Sequence, residues 1–225
     1  MKIYTLHSVA DNGLSLPVAS FLSFVRYLNR KYDVICPERF ACGDWDDSCA
    51  MLTFDDCFSD NFSNALPILT EYDIRAIFFF VVEYHRKIVW GSIAEQRWSE
   101  EKGDSFNIPF SFMSFHELKV LKELGHEIGC HTHSHRNLDE LTSNDLQHEI
   151  LGARCELETE LQVPIRYFAY PRGRHNQLSV DAVDEAGFEF AFTTRPERVS
   201  HQSLNKMRLQ VPRFPVAKSR LFGWN

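Results

Sequence analysis

The sequence predicts an α/β fold, a distorted and incomplete (β/α) barrel, from three observations. Short apolar runs alternate with segments of helical periodicity along nearly the whole chain, a pattern typical of a parallel sheet with helices outside it. Fewer than eight clear strand–helix units fit, so a closed eightfold barrel is not expected. Polar residues follow at least three predicted strands, where α/β barrels place their chemistry. We therefore predict a single domain over residues 1–225, with a long loop insertion at about 83–112.

The first part of the chain is predicted to supply four strands and two helices. Apolar residues at helical spacing follow Pro17, and proline is favoured at the start of a helix. Pro67 interrupts or kinks the second helix, because proline lacks a backbone N–H. The predicted elements are a strand over residues 2–9, a helix over 17–32, a strand over 33–36, a strand ending at 55–56, a helix over 61–72 and a strand over 76–82.

Residues 83–112 show no clear periodicity. A stretch this long inside a compact domain is usually a functional loop or a partly disordered one. We predict a loop over the mouth of the site, and a poorly packed insertion is the alternative.

The second half continues the alternation of helix and strand. Ser114 and Glu117 have the spacing of a capping box, and Gly125 closes the helix that they begin. The longest helix begins with a serine cap at Ser143 and ends before Pro164. The predicted elements are a helix over residues 114–124, a strand leading to 131, a helix over 143–161, a strand over 166–170, a helix over 178–186, and strands over 188–194 and 209–216. Prolines in the last strand suit the edge of a sheet.

Composition narrows the possible functions. A formal net charge of −7 makes nucleic acid an unexpected partner, since phosphate binding requires a basic face. The longest apolar run, residues 76–82, is far shorter than the ~20 residues that span a bilayer, and no signal peptide is visible at the N-terminus. We therefore expect a soluble cytoplasmic protein. The six cysteines form no Cys-x-x-Cys pair, so we expect free thiols rather than a zinc knuckle.

Two short polar stretches after predicted strands carry the chemistry. Thr53-Phe54-Asp55-Asp56 follows one apolar run, and His131-Thr132-His133-Ser134-His135 follows another. Paired acids alone often cap a helix, and histidines in a polar loop are often simply exposed. Together, however, one aspartate and two histidines can bind a divalent metal and leave positions open for water, which is the arrangement of a catalytic site.

These residue types predict hydrolysis of an amide or ester. A divalent ion lowers the pKa of bound water from about 16 towards ~7. The aspartate that does not bind the ion is then available as the base that accepts a proton from this water.

The motifs resemble those of the polysaccharide deacetylase family, also called the NodB-homology or carbohydrate esterase family 4 domain. Residues 53–56 resemble its first motif and residues 125–138 its second, while Phe168-Ala169-Tyr170-Pro171-Arg172-Gly173 is similar to the third. The resemblance implies a distorted (β/α) barrel with Asp55 as the base. It also implies metal binding by Asp56, His131 and His135. The third motif implies substrate contacts, which we assign to Tyr170, Pro171, Arg172 and Gly173.

The sequence departs from the family pattern at several positions. The family usually has a glycine after the acid pair, and this chain has Cys57 there. The family often has an arginine in the third motif that contacts the base, and this chain has Ala169 at that position. The Leu-x-x-His motif that usually supplies the acid is absent near the C-terminus, and no Asp-x-x-Trp type motif is visible. We predict that His7, at the end of the first strand, donates the proton instead, and His175 is the next candidate.

The resemblance leads us to predict a metal-dependent hydrolase that removes an N-acetyl group from an amino sugar in surface-glycan biosynthesis. One divalent ion, expected to be zinc, is the predicted cofactor, and a lipid-linked or nucleotide-linked sugar fits a cytoplasmic location. The alternatives are an amide hydrolase for another acyl group or a small non-sugar amide, and a catalytically silent carbohydrate-binding relative. Arg136, Arg172 and Arg174 either receive an anionic group of the substrate or are ordinary surface arginines. The sequence does not predict the oligomeric state.

Overall fold

A computed structural model describes residues 1–12, 15–84 and 111–216 of the chain. Its framework is one curled, wholly parallel sheet with helices packed around it, in which the strands follow the order β7-β6-β5-β4-β3-β1-β8 and β2 pairs with β3. The strands are β1 (Lys2–Leu6), β2 (Asp33–Val34), β3 (Cys49–Phe54), β4 (Ile77–Phe80), β5 (Glu127–Cys130), β6 (Tyr167–Ala169), β7 (Phe190–Phe192) and β8 (Phe214–Pro215).

Most of the helices lie between successive strands, as parallel connections require. The α-helices are α1 (Val18–Lys31), α2 (Pro37–Ala41), α3 (Leu66–Glu71), α4 (Phe115–Glu123), α5 (Ser143–Gln147), α6 (Ala153–Leu161), α7 (Gln177–Glu185) and α8 (His201–Lys206). A π turn, Asn61–Ala65, leads into α3, and a second π turn, His148–Gly152, joins α5 to α6. Short 3₁₀ turns are formed by Leu138–Glu140 and Pro171–Gly173.

The segment of residues 211–215 connects the two ends of the sheet. Val211 forms a parallel bridge with Phe192 at the end of β7. Phe214 pairs with Tyr4 of β1. The sheet therefore curls into a distorted, incomplete barrel, as the sequence predicts.

Two apolar layers lie on the two faces of this sheet. The outer face packs against the helices, with Leu52 and Phe78 in the same cluster as Phe21 of α1 and Leu118 of α4. The inner face carries a separate, smaller cluster whose sheet members alternate with those of the outer layer. Its buried members from the sheet are Ile3, Cys49, Met51, Ile77, Phe79, Tyr167, Ala169 and Phe192. Alternation along β3 places Met51, Thr53 and then Asp55 on the inner side.

The capping box at Ser114 is confirmed: the Ser114 hydroxyl accepts a hydrogen bond from the Glu117 backbone N–H, and the Glu117 side chain accepts one from the Ser114 backbone N–H. The predicted serine cap of the longest helix is wrong by one residue. Thr142 caps it, because the Thr142 hydroxyl accepts from the backbone N–H of Asp145.

Several predicted boundaries are also wrong. The strand predicted over 33–36 ends at Val34, because Pro37 begins the unpredicted helix α2. The predicted last strand over 209–216 shrinks to β8, and the helix α8 before it was not foreseen. The helix predicted over 61–72 begins with a π turn, and Pro67 lies in the first turn of α3, where its missing N–H is tolerated.

Most of the predicted loop insertion, residues 85–110, lies outside the described residues. Its last part is described and is ordered against the site. Phe112 forms an antiparallel bridge with Phe58, and the Met113 N–H donates to the Cys57 carbonyl at 2.8 Å. All six cysteine thiols are free. No helix in the described ranges combines the length and apolar character needed to cross a bilayer.

Candidate active site

The site lies at the carboxyl edge of the sheet, where neighbouring parallel strands end together. Asp55 extends β3 by one residue, since its N–H donates to the Leu6 carbonyl at 2.9 Å. His131 extends β5 in the same way, with its N–H donating to the Phe80 carbonyl at 2.9 Å. β4 lies between these two strands, so the sheet itself brings the two polar motifs together.

Asp56, His131 and His135 form a compact, buried cluster. One ligand atom from each lies within 4.8 Å of the others, and no other set of three such residues does so in the part of the chain that is described. The Asp56 Oδ1 atom is 3.6 Å from His131 Nε2 and 3.4 Å from His135 Nε2. The three side chains converge on one point, as the sequence predicts.

The chemistry of these donors fits a divalent ion. Burial lowers the pKa of His131 to about 4, so its imidazole is neutral near pH 7. Its Nδ1 lies 2.7 Å from the Ala169 carbonyl oxygen, which accepts only, so Nδ1 carries the proton and Nε2 presents a lone pair to Asp56. The buried Asp56 Oδ1 accepts no hydrogen bond from any described residue. A buried carboxylate oxygen without a donor is costly, and a cation would offset that cost.

The backbone around the cluster is strained. Seven non-glycine residues of the described chain have positive φ; four of them belong to the three motifs, and a fifth, Cys57, directly follows the first motif. These five are Asp56 (φ 68°), Cys57 (52°), Thr132 (70°), His135 (61°) and Arg172 (56°). Strained backbone persists where the surrounding structure holds it, often at functional sites.

Asp55 forms a buried, bidentate ion pair with Arg213. Arg213 Nη1 and Nη2 donate to the two carboxylate oxygens at 2.7 and 2.8 Å. Arg213 also donates to the Thr53 hydroxyl and to the Thr193 carbonyl, both at 3.0 Å. Burial alone would raise the pKa of Asp55, but the Arg213 guanidinium, followed by His131, holds that pKa well below its usual range. Asp55 is therefore a carboxylate at neutral pH.

The sequence is similar to a known protein family and to solved structures. The family model for polysaccharide deacetylase matches residues 43–191. The chain belongs to the polysaccharide deacetylase family. Its curated relative YxkH of Bacillus subtilis is 24% identical over 207 residues, and the match covers 89% of this chain and 66% of that protein. The chain thus spans just under two thirds of the length of this relative.

Two solved structures share the fold of this family member. The Streptococcus pyogenes deacetylase PplD in complex with acetate superposes with a TM-score of 0.76 at 19% identity, covering 96% of this chain and 92% of the other. IcaB from Ammonifex degensii superposes with a TM-score of 0.76 at 20% identity, covering 98% and 93% of the two chains.

Arg213 is the functional residue that sequence reasoning missed. The third motif of this family member has Ala169 where the family often has an arginine, and Arg213, directly before β8, supplies the guanidinium to Asp55 instead. Arg213 lies 40 positions beyond the third motif in a segment that was predicted to be an edge strand. The available signal was a single arginine among apolar residues and prolines.

The glycine replaced by Cys57 has a conformational explanation. Cys57 is fully buried and adopts φ 52°, the left-handed conformation that glycine enters without strain. Burial raises the pKa of its thiol well above the ordinary value, with the neighbouring carboxylates adding to the effect. A neutral cysteine therefore follows the acid pair.

The predicted proton donors are both outside the buried cluster. His7 follows β1 with an exposed side chain, and its carbonyl accepts a hydrogen bond from Asn61 Nδ2 at 2.7 Å. Arg213 and His131 lower the pKa of Asp55 most, and His7 is a smaller contributor to the same shift, so His7 is within electrostatic reach of Asp55. His175 is half-buried, with Nδ1 2.8 Å from the Gly173 carbonyl and its ring 4.8 Å from that of Tyr170.

The four residues assigned to substrate contact divide into two pairs. Tyr170 and Pro171 are buried, and the Tyr170 ring packs against Phe168 with 5.2 Å between centroids. Arg172 is exposed and Gly173 is partly exposed, so these two are at the surface of the site.

A polar cavity of about 480 Å³ is lined by His135 and by the three arginines singled out from the sequence. Arg136 pairs with Asp145 at 3.0 Å, and Arg174 pairs with both Asp139 and Glu140. Arg172 donates to the Asn137 side chain at 2.8 Å. Because carboxylates balance much of this positive charge, the cavity is polar rather than strongly cationic.

Proposed function

We propose that this chain is a metal-dependent hydrolase that removes an N-acetyl group from an amino sugar. The observation that carries the proposal is the position of Asp55, a buried carboxylate directly beside the cluster of Asp56, His131 and His135. A protein that only bound carbohydrate would not need an ionised base at this position.

Each residue of the site has a distinct role in the proposed reaction. Asp56, His131 and His135 hold the ion, which we expect to be zinc because two imidazoles and one carboxylate suit it. When bound, a divalent ion supplies Lewis acidity that activates water near neutral pH and polarises the amide carbonyl. Asp55 takes the proton from the attacking water, and Arg213 keeps its carboxylate ionised and fixed in orientation.

The leaving amine requires a proton when the carbon–nitrogen bond breaks, and we assign that proton to His7. Its place after β1, at the same edge of the sheet as Asp55, supports the assignment. The products are acetate and a free amino sugar.

The substrate class is part of the same proposal. The similar S. pyogenes protein is a deacetylase whose structure holds acetate, which supports removal of an acetyl group here. We propose that the substrate is a precursor of a surface glycan. The cytoplasmic location of the protein stays a prediction. The polar cavity beside His135 gives room for a sugar next to the acetamido group.

The test begins with metal content and acetate release from one preparation. The protein is stripped with a chelator, reloaded with zinc, cobalt or manganese, and incubated with a panel of N-acetylated oligosaccharides and lipid-linked or nucleotide-linked sugars. We expect one ion per chain and acetate release that follows metal content. His131→Ala should lose the ion, and equal metal content in the two proteins would remove His131 as a ligand.

The variant Asp55→Asn tests the chemical step separately from metal binding. The amide keeps the shape of the carboxylate but cannot accept the proton, so we expect retained metal and a loss of kcat of about 10²–10⁴-fold. Near-normal kcat would show that another group is the base. Metal without release from any sugar, but with hydrolysis of other amides, would favour the non-sugar hydrolase; sugar binding without hydrolysis would favour the silent relative.

A further inference from the structure

Glu149 is a buried carboxylate with an unusual set of partners. Its side chain is only 1% exposed and lies in the π turn between α5 and α6. None of the described residues forms an ion pair with it. Burying polar atoms is costly unless hydrogen bonds satisfy them, so the hydrogen-bond partners of Glu149 indicate what it stabilises.

Both carboxylate oxygens of Glu149 accept hydrogen bonds from one residue of the second motif. Oε2 accepts from the Ser134 backbone N–H at 2.8 Å, and Oε1 accepts from the Ser134 hydroxyl at 2.5 Å. The Glu149 carbonyl accepts a third hydrogen bond, from the His133 N–H at 3.0 Å. One residue of the helix thus holds two consecutive residues that lie between His131 and His135.

The rest of the loop between the two histidines is held as well. The Thr132 hydroxyl accepts from the His135 N–H at 2.8 Å. The His133 ring lies 4.5 Å from that of His148, and its Nε2 is 3.7 Å from Glu156 Oε2. The loop contains two left-handed residues, Thr132 and His135, and such a conformation needs external support.

The π turn His148–Gly152 contains Glu149 and so positions it for these contacts. π turns are rare, occur mostly as single turns inside α-helices, and are frequent at functional sites. This one, His148–Gly152, interrupts a helix that otherwise runs from residue 143 to 161, at the point where the helix meets the loop.

We propose that Glu149 is a positioning residue that preorganises residues 131–135 so that His135 meets Asp56 and His131 at one ion. The inference rests on the proposed function, since it assigns a purpose to the cluster that binds the ion. Glu149 acts through Ser134 and His133 and is not itself a ligand. Partners that orient metal ligands typically contribute about 10–100-fold to metal affinity.

The first test measures zinc affinity by competition with a chromogenic chelator. Glu149→Ala should raise the Kd at least tenfold, because Ser134 N–H loses its acceptor. Glu149→Gln should fall between Glu149→Ala and the wild type, since an amide oxygen can still accept one of the two hydrogen bonds. Ser134→Ala should change the Kd in the same direction and by less, because it retains the backbone hydrogen bond.

Leu161→Ala is the control for a general loss of stability. Leu161 is buried at the far end of the same helix, twelve residues from Glu149. We expect it to lower the urea midpoint while leaving the Kd of the folded protein within about twofold of the wild type. A Kd for Glu149→Ala that moves no more than that of Leu161→Ala would overturn the proposal.

The second test requires no metal. Hydrogen–deuterium exchange is measured on peptides covering residues 131–135 in chelator-treated protein. Exchange at these amides should be faster in Glu149→Ala and Glu149→Gln than in the wild type, and unchanged in Leu161→Ala. Unchanged exchange in the Glu149 variants would overturn the positioning role. If the wild type bound no metal, the proposed function would fail, but this exchange experiment would still decide the role of Glu149. If Glu149→Ala failed to fold, the Glu149→Gln and Ser134→Ala variants would carry both tests.

Discussion

At the scale of single residues, Arg213 controls the charge of the site. It is fully buried, and its guanidinium satisfies both oxygens of Asp55, the Thr53 hydroxyl and the Thr193 carbonyl. Its charge also lies over the Phe79 ring, 5.2 Å from the ring centroid. The Asp55–Arg213 ion pair is thus a structural element of the barrel interior, and it also holds Asp55, the proposed base, in place.

Arg213→Met should lower the free energy of unfolding by about 3–5 kcal/mol, because it leaves the Asp55 carboxylate buried without its partner. Urea denaturation at pH 7 measures the loss. The double variant Asp55→Asn/Arg213→Met should lose less than the sum of the two single variants, since it removes both charges. Additive losses, within about 0.5 kcal/mol, would show that the two groups are not coupled.

Substrates with different leaving groups can show whether His7 or His175 is the acid. An amine leaves poorly unless it is protonated, whereas the leaving group of an activated ester needs no proton. His7→Ala should therefore lose most of kcat on an amide and much less on an activated ester, compared at matched metal occupancy. His175→Ala is the parallel variant, and the acid assignment moves to His175 if only that variant shows the split. Equal slowing of both substrates by His7→Ala would remove His7 as the acid.

How much of the site could be predicted depends on where each residue lies in the chain. Asp55, Asp56, His131 and His135 were predictable because each follows a strand, and parallel strands bring such positions to one edge. Arg213 was not predictable, because it contacts Asp55 from a segment that is distant in sequence. No local sequence pattern indicates how that segment pairs in the sheet. Glu149 was not predictable for a different reason: in sequence it is one of several acids on a helix, and the sequence does not indicate the π turn in which it lies buried.

At the scale of elements, the 3₁₀ turn Pro171–Gly173 forms the second half of the third motif and packs against the residues that follow β7. The Thr194 hydroxyl donates to the Arg172 carbonyl at 3.2 Å, and the Gly173 N–H donates to the Tyr170 carbonyl at 2.8 Å. Gly173 has φ +71°, and a Cβ there would lie 2.8 Å from the backbone nitrogen of Thr194. The turn therefore needs glycine for both conformation and space.

Gly43→Ala provides a matched control for Gly173→Ala. Gly43 has a similar φ of +74°, but the nearest atom to its added Cβ is 4.0 Å away. Gly43→Ala should cost about 1 kcal/mol from backbone strain alone. Gly173→Ala should cost about 1–3 kcal/mol more, because the Thr194 backbone must shift, and it should also reduce kcat/KM. Equal unfolding free energies of the two variants in urea would show that the turn has room for a side chain.

At the scale of the whole molecule, the order of strands explains why a small sheet can hold this site. β1 and β3 are neighbours in the sheet, and β4 and β5 come next on the other side of β3. The polar residues that follow these strands in the first 135 residues therefore lie at one edge of the sheet. The alternation of strand and helix predicted this topology. The joining of the two sheet ends by residues 211–215 was not predictable, because it rests on one bridge at Val211 and on the two-residue strand β8 rather than on a long periodic strand.

The stability of the molecule should fall in mild acid, partly because of His126. His126 is 2% exposed, and its Nδ1 accepts a hydrogen bond from the Ala76 N–H at 3.1 Å. Burial, assisted by the charge of Arg75, lowers its pKa from 6.5 to about 4. The unfolded chain therefore binds a proton at pH values where the folded chain does not, and acid favours unfolding. This contribution is fully present above about pH 6.5 and is lost as the pH falls towards 4.

His126→Asn should isolate that contribution, because the Asn amide oxygen can accept the same hydrogen bond but does not titrate. Between pH 7.5 and 5.0, the wild type should lose about 2 kcal/mol of unfolding free energy more than the variant, since a shift of one pKa unit corresponds to about 1.4 kcal/mol. Urea denaturation of both proteins at the two pH values, in chelator, gives the difference directly. Other groups that titrate in this range, His131 included, act in both proteins and cancel in the comparison. Parallel losses in the two proteins would show that His126 does not take up a proton on unfolding in this window.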